Sequence, residues 1–195
     1  MVSYRAPRRF LSDESGISLT EGLISLPIVI LTFAAFVEFG YAMFQWNQTV
    51  KALQHGARLA AVSDSVASNF NPAAIAAGGT GGATIPAGAS FTCGPNLAGC
   101  NATAVNRIVE GSAARPGMHD LNWRIEPKNV VITYEMTGLG YYGRPGGAVA
   151  TIRLEVQGIT FDLPILGALL GINDIVIPAH PVTITTEDLK TCSTC

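Results

Sequence analysis

The chain has 195 residues, 48% of them hydrophobic and 13% charged, with a formal net charge of −2. That is enough apolar material for one packed domain plus an appendage, which excludes a chain disordered throughout. With no long basic run it lacks the clustered Lys and Arg that phosphate binding requires, which excludes nucleic acid as the main partner.

Arg5, Arg8 and Arg9 precede an uncharged stretch, GLISLPIVILTFAAFV at 22–37, and apolar residues continue past Glu38 through FGYAMF to Trp46. A helix over 17–44 would be about 42 Å long at 1.5 Å per residue, more than the roughly 30 Å of a hydrocarbon core. One crossing of a lipid bilayer is therefore expected. Tyr41 and Trp46 stand where interfacial aromatics belong, and the three arginines put the N-terminus in the cytoplasm and the remainder outside. The run is too long for a secretory signal peptide, whose apolar stretch is about 7–15 residues, and no convincing A-x-A site closes it. Pro27 lacks a backbone N–H and should loosen or kink the helix; Gly40 is a second weak point.

The span continues into VKALQHGARLAAV at 50–62, where Val50, Leu53, Ala57 and Ala60 recur at helical spacing beside a polar stripe of Lys51, His55 and Arg58. The two stretches make one helix over 17–62, wet at its far end. Beyond it lies a domain over 63–195 that opens in Ala, Gly, Ser and Asn. The Gly/Ala-rich region near 73–100 has no Gly-Lys-Ser/Thr to make a phosphate loop, so a flexible surface loop is expected. NATAVNRIVEGSAA at 101–114 predicts a short helix with Val105, Ile108 and Val109 on one face, packed on a sheet.

The sheet follows from period-two alternation. In 129–136, Val130, Ile132, Tyr134 and Met136 oppose Val131, Thr133 and Glu135; in 149–156, Ala150, Ile152, Leu154 and Val156 oppose Thr151, Arg153 and Glu155. The Gly- and Pro-containing link between them predicts an antiparallel pair. FDLPILGALLG at 161–171 is a compact apolar insert, and a third strand is expected around 182–186, kept at an edge by Pro178 and Pro181. The fold class is α+β: a long transmembrane and amphipathic helix, then a small domain with an antiparallel sheet and a short packed helix.

The cysteines form two close pairs, Cys93 with Cys100 and Cys192 with Cys195, and four thiols allow three disulfide connectivities of which this local one is the simplest. A zinc site is the competing expectation, but C-x6-C is an unusual ligand spacing and no His lies near, so no metal is assigned. No H-E-x-x-H or G-x-S-x-G is present, and His55, His119 and His180 have no nucleophile or base beside them. His119-Asp120 lacks a third partner and is taken as a polar turn. No catalytic residue and no cofactor is expected.

One residue resists this account. Glu21, in SGISLTEG at 15–22, puts a carboxylate near the start of the span, where a charge costs up to about 2.5–3.5 kcal/mol at the bilayer centre. Here the sequence resembles a type IV pilin-like precursor, with a short basic leader ending in Gly and Glu as fifth residue after the cut. More closely, it is similar to the TadE-like family of the tight adherence (Tad) pilus system. The resemblance rests on Asp13 and Glu14 before Gly16, Leu26-Pro27 in the span, Glu38-Phe39-Gly40 at its far end, and Gly56-Ala57-Arg58 on the following helix. These motifs cover about residues 8–62.

The resemblance implies a leader over 1–16, a processing site at Gly16 and Ile17, and assembly roles for Glu21 and Glu38. It implies a non-enzymatic minor pilin or pseudopilin that helps assemble a pilus for adhesion. The implied partners are a prepilin peptidase, other minor pilins, the major pilin and the inner-membrane assembly machinery. The implied place is the bacterial inner membrane, with the C-terminal domain in the periplasm; retention in the surface pilus stays open. So does the alternative of a permanently anchored, unprocessed periplasmic adaptor of TadG-like type.

Overall fold

The computed structural model describes residues 15–161, 163–171, 175–176, 180–187 and 189. They divide into two units, one made of 15–41 with 163–171, the other of 42–161 with the remaining described residues.

Helix α1 is assigned over Ser15–Ala61, 47 residues including Pro27. A proline amide cannot donate to the carbonyl four residues back, so the bond to Leu23 is missing, yet the helical assignment runs through it. Surroundings change along its length. In the first unit Leu23, Ile24, Phe33, Phe36 and Phe39 are all exposed. In the second unit Gln45, Thr49, Ala52, Leu53, Gly56, Ala57, Ala60 and Ala61 are buried at spacings of three and four, which is one helical face. Of the four residues expected on that face, Leu53, Ala57 and Ala60 are buried and Val50 is half-buried. Mostly small side chains line it, so the helix axis can approach what it packs on.

The second unit carries an antiparallel sheet of four strands in the order β1-β2-β3-β6. These are β1 (Ser90–Cys93), β2 (Val130–Glu135), β3 (Thr151–Val156) and β6 (Val182–Thr185). The expected pair is β2 with β3, registered Val130 to Val156 and Tyr134 to Ile152, and the expected third strand lies at the edge. Ile132, Tyr134, Ile152 and Leu154 join the buried face of α1 in one core cluster. The same cluster takes Val105, Ile108 and Val109 from α3 (Ala102–Val109), the short helix foreseen in the sequence. Asn101 starts that helix by accepting the Ala104 N–H at 3.3 Å, which pairs one of the amides a helix start leaves open.

The Gly/Ala-rich region departs from the expected loop. It contains α2 (Pro72–Ala77), capped by Asn71, and β1, which pairs with β2 as the other edge of the sheet. Between them, backbone bonds tie it to the β2–β3 link: Tyr142 N–H to Ala83 O at 2.8 Å, Gly82 N–H to Tyr142 O at 2.9 Å and Gly143 N–H to Ala76 O at 2.8 Å. Gly79 is needed where it stands, because a Cβ there would lie 2.6 Å from the Tyr142 ring. These contacts are made by main chain and by absent side chains. Composition therefore gave no sign of them.

Further short elements follow among the described residues. Helix α4 (Met118–Leu121) follows α3, and β4 (Thr160–Phe161) pairs antiparallel with β5 (Ile175–Val176). The excursion between β4 and β5 contains α5 (Leu166–Leu170), closed by Gly171 in the left-handed conformation at φ 64°.

Candidate assembly and membrane-contact site

Among the described residues one helix is long and apolar enough to cross a membrane, and almost none of its most apolar window is buried. A bare apolar surface of this length is not stable against water, so this unit serves as a single-pass anchor. Gly22 and Gly40 have open space where a Cβ would stand, so neither makes room for a close neighbour among the described residues. Gly16 and Ile17 lie inside the first turns of α1. Glu21 is exposed on the helix, and no hydrogen bond or ion pair reaches it from the described residues. It is thus available to a partner outside the chain.

Glu38 is the opposite case. Only 4% of it is exposed, and its Oε1 accepts the backbone N–H of Ile165 at the start of α5. Such an N–H has no partner within its own helix, and a carboxylate is the strongest acceptor a side chain offers it. The sequence marked both Glu38 and the apolar insert but gave no reason to join them. The only available signal was an uncharged segment at 163–171 set between Asp162 and Asp174.

Cys93 and Cys100 form a disulfide with a Cα–Cα distance of 4.8 Å. It closes the turn that follows β1, where Asn96 and Leu97 hold positive φ. Cys192 and Cys195 lie outside the described residues. Two of the histidines serve the backbone, His55 Nε2–H donating to Pro116 O at 2.9 Å and His119 Nδ1–H to Ile125 O at 3.0 Å, and His180 is exposed. Asp120 accepts the Gly117 N–H at 2.8 Å, so His119 and Asp120 hold separate parts of the α4 turn. A buried polar pair escaped sequence reading altogether. Asn122 Nδ2 donates to Thr49 Oγ1 at 2.9 Å, and the Thr49 hydroxyl donates to Gln45 O at 2.9 Å.

Among the described residues the geometry thus offers a bare span with an open carboxylate near its start and no group of three or more His, Cys, Asp or Glu side chains able to hold a metal. Residues 16–58 match the family model of TadE-like protein. The match runs from the glycine of the expected processing site, through Glu21 and Glu38, to Arg58 of the Gly-Ala-Arg motif. It covers the TadE-like helix and leaves the sheet domain unmatched. No curated protein and no solved structure matches the chain.

Proposed function

We propose that this protein is a minor pilin or pseudopilin of TadE-like type, a non-enzymatic subunit in the assembly of a Tad pilus. The observation that carries the proposal is Glu21: an exposed carboxylate without a partner among the described residues, fifth after Gly16, where the TadE-like match begins. The precursor enters the bacterial inner membrane with Arg5, Arg8 and Arg9 on the cytoplasmic side. The disulfide between Cys93 and Cys100 supports a periplasmic location for the sheet domain, since such bonds persist in oxidising compartments.

Cleavage by a prepilin peptidase after Gly16 leaves a positive amine on Ile17. In a bundle of apolar helices Glu21 of one subunit pairs with such an amine on a neighbouring pilin. An opposite charge within about 4–6 Å favours the ionised carboxylate and offsets much of its desolvation. The cost of a charge in the span is then recovered only on assembly, which makes Glu21 a device for recruiting other minor pilins and the major pilin.

The test is copurification from the native membrane. Glu21→Ala and Glu21→Gln should insert and be cleaved nearly as the wild type, yet recover little of the other pilin-like subunits and lower the number of surface pili. Wild-type copurification and piliation by both variants would remove the pairing role.

A further inference from the structure

We propose that the excursion at 163–171 is a second membrane contact, an interfacial element whose apolar side chains enter the lipid bilayer beside the end of the span that carries Glu38. The segment, LPILGALLG, has no charge and no side chain able to hydrogen-bond. Ile165 is 49% and Leu169 57% exposed, a large apolar display for so short a stretch. A five-residue helix is too short to be stable by itself in water, so something must cover it.

The occupant follows from the Glu38 bond. Glu38 lies between Val37 and Phe39 on α1, which are 68% and 67% exposed in the part of the helix that lipid covers. Because its carboxylate holds the Ile165 N–H, the excursion sits at this level of the span, within the same unit. Part of the backbone is paired as lipid requires: Gly167 N–H bonds to Leu163 O at 2.9 Å, Leu169 N–H to Ile165 O at 3.0 Å, and Glu38 takes the Ile165 N–H, one of the amides left open at the start of α5. Even if all nine residues were helical they would reach only about 14 Å, too short to cross, so the segment lies in the interface. In the sequence the uncharged segment is bracketed by Asp162 and Asp174, residues that are costly to place in lipid. This goes beyond the pilin proposal, since it holds for any protein anchored by this span.

Single-tryptophan reporters in the full chain test it. In a background of Trp46→Phe and Trp123→Phe, the variants Leu169→Trp, Ile165→Trp and Phe36→Trp are each placed in phosphatidylcholine vesicles with and without brominated phosphatidylcholine. The indoles introduced at 165 and 169 should lose most of their emission to the brominated lipid, as the one at 36 does, and should be shielded from aqueous acrylamide. Adding Glu38→Ala should shift positions 165 and 169 toward acrylamide and leave position 36 unchanged. Acrylamide quenching without lipid quenching at 165 and 169 would overturn the proposal in favour of a solvated loop. Shielding from both quenchers would overturn it in favour of a protein cover. An unquenched indole at 36 would overturn the anchor and the excursion together, whatever the fate of the pilin assignment.

Discussion

The phenolic oxygen of Tyr134, the next-to-last residue of β2, accepts the backbone N–H of Val66 at 3.1 Å. The bond fixes the chain shortly after α1 ends onto the centre of the sheet. Phe70, in the link between α1 and α2, stacks on the Tyr134 ring with centroids 4.6 Å apart and lies 5.2 Å from the Phe91 ring of β1, so this link meets two strands here. Burial pushes the Tyr134 hydroxyl up from its ordinary 10.0 to about 12, partly opposed by the Val66 hydrogen bond.

An alkaline instability follows. The folded domain keeps the Tyr134 proton above pH 10 while the unfolded chain releases it, so stability is complete below that pH and declines until about pH 12. Over that interval the loss should reach roughly 3 kcal/mol. Tyr134→Phe should lower stability by about 1–3 kcal/mol near neutral pH, because a buried Val66 N–H loses its acceptor, and should flatten the alkaline decline. Urea unfolding of the full chain in detergent between pH 8 and 12 (roughly the window set by the two states) reads both. A decline as steep in Tyr134→Phe as in the wild type would assign it to other groups.

Gly56 supplies a second prediction. A Cβ there would lie 2.3 Å from the sulfur of Met118, which is fully buried at the start of α4 and cannot swing into solvent. The glycine of the Gly-Ala-Arg motif thus lets α1 approach α4. Gly56→Leu should destabilise the chain by about 1–3 kcal/mol or more through overpacking. In Gly56→Ala a gain in helix propensity of up to about 1 kcal/mol opposes the clash. The sharper measurement is the coupling of Gly56→Ala with Met118→Ala: the second change makes room for the first, so the double variant should be more stable than the sum of the single effects. Additive effects would mean that the two residues do not compete for space.

What was legible in the sequence was what side-chain periodicity encodes. The span, the buried face through Leu53, Ala57 and Ala60, the β2–β3 pair and α3 each follow from an apolar residue recurring at the period of its element. The expected α+β class stands on these. Illegible was what the main chain and small residues do. β1 hides in a region of Ala and Gly, and Gly79 marks its packing only by leaving room for Tyr142. The core also holds Thr49 and Asn122, whose hydrogen bond joins residues 73 apart; no local pattern announces it. For the candidate site, Glu21 stood out as a charge at the start of an apolar span, and Gly16 and Ile17 only through the resemblance to the TadE-like family. The acceptor role of Glu38 needed Ile165, which lies 127 residues away.

The central claim, that this is a processed pilin-like subunit, is tested most directly by the N-terminal residue of the protein in its native membrane alongside its peptidase. Mass spectrometry of the N-terminal peptide should find a chain that begins at Ile17, and Gly16 replaced by a bulky residue should leave the precursor at full length. A wild-type chain that still begins at Met1 or Val2 would contradict the account, and would make the protein a permanently anchored adaptor in which Glu21 has no amine to meet.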